Sequence, residues 1–230
     1  MKRYITSLLH LFYPHNCAGC GSDVLAPDIP VCASCHSQLP ATSFMGIEGN
    51  PVEKLFYGRV RIAAAGSLFY FTRQSAVQRI LFQLKYERNQ QTGLWLGKQL
   101  GQQLKSSGRF AHVTAIIPVP LHHRKQKQRG YNQSQLIAEG ISSVCKWPVI
   151  TKALQRSVFT STQTHQNREN RLLNLQNAFS VHPQHLLSHT HVLLVDDVIT
   201  TGATLEACAL ALQQQKITVS IATIASTLLS

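Results

Sequence analysis

Two pairs of cysteines carry the first recognisable chemistry, Cys17-Ala-Gly-Cys20 and Cys32-Ala-Ser-Cys35, in a C-x2-C-x11-C-x2-C array. Each pair can fold into a tight knuckle whose backbone N–H groups point at the sulfurs, and Gly21 adds a flexible residue after the first pair. Four thiolates converging from two knuckles make a tetrahedral S4 site, which suits Zn²⁺ and leaves no position open for reaction at the metal. A segment of roughly 35 residues is too short to bury a full core, so the metal would itself supply folding energy. Disulfides are disfavoured, because nothing else in the chain indicates an oxidising compartment. An iron–sulfur cluster could also use four thiolates, but paired knuckles with this loop length fit structural zinc better. Cys145 and Cys208 read as core residues.

A second stretch is Val192-Leu-Leu-Val-Asp196-Asp197-Val-Ile-Thr200-Thr201-Gly202-Ala203-Thr204. Four apolar residues form a buried strand that delivers two carboxylates to its C-terminal end, and a helix is expected to begin at about Thr204. Ligands of open α/β sheets bind at such strand ends. Backbone N–H groups of Thr200, Thr201, Gly202, Ala203 and Thr204 can cradle a phosphate dianion at the helix N-terminus, where the dipole favours negative charge. The threonine hydroxyls add donors, and Gly202 lets the backbone approach closely. Carboxylates are poor phosphate partners but good acceptors for sugar hydroxyls. Asp196 and Asp197 therefore suit a ribose diol, directly or through hydrated Mg²⁺. Phosphate at one end and diol at the other describe a ribose 5-phosphate. The bland alternative is an acidic turn before a well-capped helix. The whole stretch closely resembles the motif by which type I phosphoribosyltransferases bind 5-phosphoribosyl 1-diphosphate (PRPP).

A third stretch is basic. Ile116-Ile-Pro118-Val-Pro120-Leu121 reads as a strand entering a proline-stiffened loop, followed by His122, His123, Arg124, Lys125, Lys127 and Arg129, then Gly130-Tyr-Asn-Gln-Ser134. Such a loop could neutralise a diphosphate or a nucleic-acid backbone, or could simply be solvated. Arg156, Thr160, Gln163, Arg171 and Asn174 stud a polar segment that reads as exposed loop and helix.

The elements around these residues follow from periodicity. Val77, Ile80, Leu81 and Leu84 share a helical face, as do Leu96, Leu100 and Leu104, and then Leu136, Ile137, Ile141 and Val144. Leu205, Cys208, Ala209 and Leu212 mark a further helix. Strands are expected at 61–71 (or a hairpin), 113–119, 149–151, 191–195 and 217–224. Strands alternating with helices argue for an α/β domain with a mainly parallel sheet flanked by helices. Composition shifts near residue 50, and Ser43–Pro51, with Gly46, Gly49 and Asn50, reads as a linker. The expected organisation is a cysteine module with a lead-in helix over 1–50 and a larger domain over 51–230.

Hydrophobic residues make up 44% of the 230 residues. That content, with a mean hydropathy near zero, indicates a soluble globular chain. No apolar run approaches the ~18–20 residues that cross a bilayer, so no membrane insertion is expected. Ile5, Leu8, Leu9 and Phe12 fall on one helical face, which favours a structural lead-in over a signal peptide and a cytoplasmic protein. Lys and Arg number 22 against 10 Asp and Glu, a formal charge of +12. Such an excess attracts nucleic acid or small phosphorylated ligands.

Together these pieces resemble the ComF/GntX family of bacterial competence and DNA-utilisation proteins. The residues carrying the match are the four cysteines, Pro118-Val-Pro-Leu with Arg124 and Arg129-Gly-Tyr-Asn-Gln-Ser, Arg156 with Gln163, Arg171 and Asn174-x3-Ala-Phe, and the Asp-Asp-x2-Thr-Thr-Gly-Ala-Thr loop. The resemblance implies a zinc finger fused to a type I phosphoribosyltransferase fold. It implies that Arg124, Lys125, Arg129 and Arg156 face diphosphate or nucleic acid, and that Asp196, Asp197 and Thr200–Thr204 hold the ribose phosphate of PRPP. It also implies a role in uptake, processing or utilisation of exogenous DNA, with single-stranded DNA and DNA-processing proteins as partners. The competing expectation is an active transferase that joins PRPP to a nitrogen nucleophile and releases diphosphate; no residue stands out as its general base. A third is a zinc module that docks a partner beside a vestigial phosphate site.

Overall fold

The long apolar runs become the strands of one sheet, and the amphipathic segments become the helices that cover it. The computed structural model describes residues 16–23, 29–87, 89–156, 178–186 and 188–227. Before the sheet come the short helices α1 (Ala33–Ser37) and α2 (Pro51–Lys54), with a 3-10 turn at Phe44–Gly46 between them. Strand β1 (Ala65–Tyr70) leads into α3 (Ala76–Tyr86) and α4 (Gln90–Ser107). Next come β2 (Ala115–Pro118), α5 (His123–Arg129), α6 (Gln133–Cys145), β3 (Leu154–Arg156) and β4 (Phe179–Val181). The chain closes with β5 (His191–Ile199), α7 (Ala203–Gln213) and β6 (Thr218–Ser226).

The main sheet has the order β1-β6-β5-β2, and every neighbouring pair is parallel. Side chains alternate across a strand, and in β5 both sets are buried. Leu193 and Val195 join the core formed with α3, α4 and α6. Val192 and Leu194 join a second core with α7 and the β3–β4 ribbon. Burial on both faces is why these strands read as unbroken apolar runs. The architecture is the expected α/β class with a parallel sheet flanked by helices.

Helix α3 begins where Ser75 Oγ accepts from the Gln78 N–H at 3.1 Å, and its buried stripe is Val77, Ile80, Leu81 and Leu84. Helices α4 and α6 pack backbone to backbone. A Cβ at Gly97 would lie 2.1 Å from the Ile137 carbonyl oxygen, and one at Gly140 would lie 2.4 Å from that of Leu94. Only glycine permits that approach.

Several expectations are revised. Residues 43–51 are no open linker: Phe44 and Met45 are buried. Asn50 Nδ2 donates to the carbonyls of Phe44, Ile47 and Ala65 at 3.1, 2.8 and 2.8 Å. Gly and Asn suggested solvent exposure, but here Asn50 serves as a buried hub that also caps α2. Met45, Leu39, Val31 and Cys17 belong to the same core as α3 and α4. Strand β5 runs four residues beyond Val195, because β6 continues to pair with it as far as Ile199. Residues 149–151 supply a single bridge from Val149 to Ile116. The 61–71 segment is one strand without a hairpin partner among the described residues. The basic stretch after Leu121 is helical: His122 Nδ1 accepts from the Arg124 N–H at 3.3 Å, and Gly130 ends α5 in the left-handed conformation. Arg156 lies in an antiparallel ribbon with β4. Ile5, Leu8, Leu9 and Phe12, and likewise Thr160, Gln163, Arg171 and Asn174, lie outside the described residues. Among the described residues no helix is long and apolar enough to cross a membrane.

Candidate functional site

Strand β5 carries Asp196 and Asp197 towards the C-terminal edge of the sheet, and neighbouring elements hold each carboxylate differently. Asp196 Oδ1 accepts from Ser134 Oγ and from the Asp197 N–H, each at 2.9 Å. Asp197 Oδ2 lies 2.8 Å from Lys85 Nζ. Burial, followed by the negative charge of Asp197, pushes the Asp196 carboxyl up to about 7, although the Asp197 N–H, the Ser134 hydroxyl and Lys85 pull it down. The two carboxylates therefore differ: Asp197 is ion-paired with Lys85, whereas Asp196 takes a proton near neutrality.

Ser134 and Lys85 are placed by one set of contacts. Asn132 Oδ1 accepts from the Ser134 N–H at 3.1 Å, and its Nδ2 donates to the Val119 carbonyl at 3.0 Å. Tyr131 donates its hydroxyl proton to the Leu84 carbonyl, one residue before Lys85. Neither Lys85 nor Ser134 stood out in the sequence as a carboxylate partner. Lys85 reads as an ordinary solvated residue in the last turn of an amphipathic helix, and Ser134 as part of a helix start. The one available signal was that Ser134 closes the Gly-Tyr-Asn-Gln-Ser run.

Beyond Ile199 the chain turns through exposed Thr200 and Thr201 into α7, which starts at Ala203, one residue earlier than expected. The N-cap is Gly202, with φ of 74° and no side-chain cap. A cap without a side chain leaves the first-turn N–H groups for something else. They border a polar cavity of about 60 Å³ lined by Asp196 and residues 198–205. Gly202 is required twice over. Its φ is left-handed, and a Cβ there would meet Phe56 Cε1 at 3.2 Å. Arg59 braces the loop from behind: its Nη1 donates to the Thr201 carbonyl at 3.0 Å, and it forms an ion pair with Glu206 in the first turn of α7.

Of the basic residues singled out, Arg124 and Lys125 stand exposed on α5. Arg129 lies with its guanidinium 5.4 Å from the Tyr86 ring centroid, and Arg156 similarly covers Phe179 at 5.6 Å. None of the four contacts residues 196–204 through a hydrogen bond or ion pair among the described residues.

The four N-terminal cysteines do converge: all four Sγ atoms lie within 4.8 Å of one another, and Cys20 and Cys32 are 3.9 Å apart. A tetrahedron with metal–sulfur bonds of ~2.3 Å has edges of roughly 3.8 Å, so the donor set fits a zinc ion. Cys17 Sγ accepts from the N–H groups of Cys32 at 3.2 Å and Gly19 at 3.4 Å. Burial opposes ionisation of Cys17, yet N–H donors from Cys32, Cys20 and Gly19 outweigh it and lower the thiol to about 6. Cys35 moves the other way, to about 12, through burial and the neighbouring sulfurs. Four metal-free sulfurs cannot all ionise side by side, and a divalent cation removes that conflict. The knuckle is tied to α3, where Arg79 Nε donates to the Gly19 carbonyl. Cys208 is fully buried, as expected, and Cys145 partly so.

No family model matches the chain. Competence protein F of Haemophilus influenzae is 32% identical over 197 residues, covering 82% of this chain and 74% of that protein. The chain belongs to the ComF family. DNA utilization protein YhgH of Escherichia coli strain K12 is 32% identical over 130 residues, 54% of this chain and 56% of the relative. Competence protein ComFC of Bacillus subtilis is 29% identical over 94 residues, 41% of this chain and 36% of that protein. The chain thus spans about three quarters of the first ComF relative and just over half of the second. The ComF assignment agrees with the resemblance carried by the cysteine array and the Asp-Asp-x2-Thr-Thr-Gly loop.

Proposed function

We propose that this ComF protein binds PRPP, or a related ribose 5-phosphate ligand, at residues 196–204 and serves in competence or DNA utilisation. The observation behind this reading is that the Asp196 carboxylate and an uncapped helix N-terminus border one polar cavity, with Asp197 next along the strand. The N–H groups of Thr200–Thr204 suit the 5-phosphate, and Asp196 and Asp197 suit the ribose hydroxyls. Lys85 and Ser134 orient those carboxylates. Mg²⁺, if it accompanies the diphosphate, would be met by the same carboxylates. On this reading residues 51–230 form a phosphoribosyltransferase-like domain, and residues 1–50 form the cysteine module that packs on it.

Cys17, Cys20, Cys32 and Cys35 would hold Zn²⁺ in a structural role, since four thiolates saturate a tetrahedral ion. Free thiols of this kind persist in a reducing cytoplasm, where we place the protein. The DNA role rests on the likeness to competence and DNA-utilisation proteins, and the +12 charge supports it. Single-stranded DNA and DNA-processing proteins are the proposed partners.

An active transferase is the second reading. Asp196, which takes a proton near neutrality, favours it by offering a proton acceptor beside the site. Thermal unfolding with and without PRPP and Mg²⁺ tests the binding reading. A rise in Tm that grows with ligand concentration is expected; an unchanged Tm with PRPP at millimolar concentration contradicts it. Diphosphate release with one added nitrogen nucleophile would establish the transferase, and its absence across nucleobases and amines would leave the binding reading alone.

A further inference from the structure

Helix α3 buries one face in the core and exposes two aromatic rings on another. Phe82 is 52% exposed and Tyr86 61%. They lie one turn apart, with centroids 4.8 Å apart and planes inclined by 40°. Arg129, the last residue of α5, extends its guanidinium over the Tyr86 ring. The rest of α5 presents Arg124, Lys125 and Lys127 to solvent with no acidic residue between them. None of these cations is ion-paired among the described residues. On the far side, Phe82 helps line a pocket of about 420 Å³ whose opposite wall is the cysteine knuckle, residues 17–21, with one cation, Arg79, and one carboxylate, Glu87, at its border.

Exposed aromatic faces alone would suit any apolar partner. Here they are flanked by unpaired cations on a chain of charge +12, which selects a polyanion with flat apolar faces. Single-stranded nucleic acid has that chemistry: its bases can stack on aromatic rings and on arginine planes while basic residues follow its phosphates. A duplex hides the same base faces inside its stack.

We infer that Phe82, Tyr86 and Arg129 form a stacking platform for the bases of single-stranded nucleic acid, with its phosphates running along α5. The inference rests on the DNA-utilisation reading for its class of occupant, and it is independent of the ribose-phosphate cavity. Arg79, Phe82 and Tyr86 share one side of α3, so the platform reaches from the knuckle to α5.

The test is fluorescence anisotropy of a labelled oligothymidylate, and of a duplex of equal length, with the full-length zinc-bound protein. The expected result is tighter binding of the single strand, with a loss of roughly tenfold or more in the Phe82→Ala/Tyr86→Ala double variant. The dependence of affinity on salt should not change in that variant, because no phosphate contact is removed. Phe82→Trp/Tyr86→Trp should retain binding, and Arg129→Ala should weaken it and flatten the salt dependence. Zinc content and PRPP binding, measured on the same samples, report whether each variant is intact. Equal affinity of wild type and the double alanine variant overturns the platform while leaving the DNA reading in place. Wild-type protein that binds no oligonucleotide overturns both. Loss of self-association in the double variant, with oligonucleotide binding unchanged, assigns the rings to a second copy of the chain and also overturns the proposal.

Discussion

Lys85 and Asp197 form an ion pair with Nζ 2.8 Å from Oδ2, across 112 positions of sequence, and their side chains are only 24% and 15% exposed. Helix α3 therefore places a cation beside the carboxylate pair of β5, and the same helix contacts the cysteine knuckle through Arg79. Removing the lysine leaves Asp197 without its partner and lets two negative charges compete for one edge of the sheet. Lys85→Met should cost about 1–2 kcal/mol, less than a fully buried pair because water still reaches both groups. Urea denaturation at neutral pH reads this directly; an unchanged midpoint would show that the pair contributes nothing.

The pH dependence of stability follows from Asp196. Its folded pKa, about 7, lies above the ordinary 3.8, so the folded state holds a proton that the unfolded state releases. The contribution is fully present below about pH 4 and is lost as pH rises through 7. Asp196→Asn abolishes that proton exchange. The variant should gain stability relative to wild type as pH increases from 4 to 8, as measured by Tm across the range. A constant difference at every pH would refute the assignment.

Gly202 tests the loop. Alanine there must adopt a left-handed φ and press on Phe56 at 3.2 Å, a strain of about 1–2 kcal/mol. The strain falls on the turn that presents the N–H groups. Gly202→Ala should therefore weaken PRPP binding by more than its loss of stability explains. If binding and global stability decline in proportion, the turn has no special role.

The knuckle predicts a zinc stoichiometry of one. Cys20→Ser should reduce it, and a strong chelator should unfold the segment around residues 17–39 before the sheet. Gly19→Ala should act like a ligand mutation, because its Cβ would lie 2.9 Å from Cys35 Sγ. Metal analysis and hydrogen exchange of the cysteine segment check both. Full metal occupancy in Gly19→Ala would mean that the knuckle can relax.

The sequence exposed whatever depends on local spacing. Buried runs such as Val192–Val195, the stripe Val77, Ile80, Leu81 and Leu84, and the two cysteine pairs each reveal themselves within a dozen residues. What stayed hidden depends on contacts between distant segments. Asn50 sits among glycines and looks solvated until its amide is found satisfied by the Ala65 carbonyl, 15 residues on. Lys85 and Ser134 become site residues only because the end of α3 and the start of α6 meet β5. Arg156 acquires a strand partner only when Phe179 returns beside it. The basic stretch 123–129 concealed a helix because charge dominates its composition, and its ends are set by His122 and Gly130.

Ribose-phosphate binding is tested by calorimetric titration of PRPP with Mg²⁺ into wild-type protein and into an Asp196→Asn/Asp197→Asn variant. Saturable one-to-one binding to wild type is expected, at least tenfold weaker in the variant, with ribose 5-phosphate competing. PRPP that does not bind wild type, or that binds both proteins equally, would contradict it.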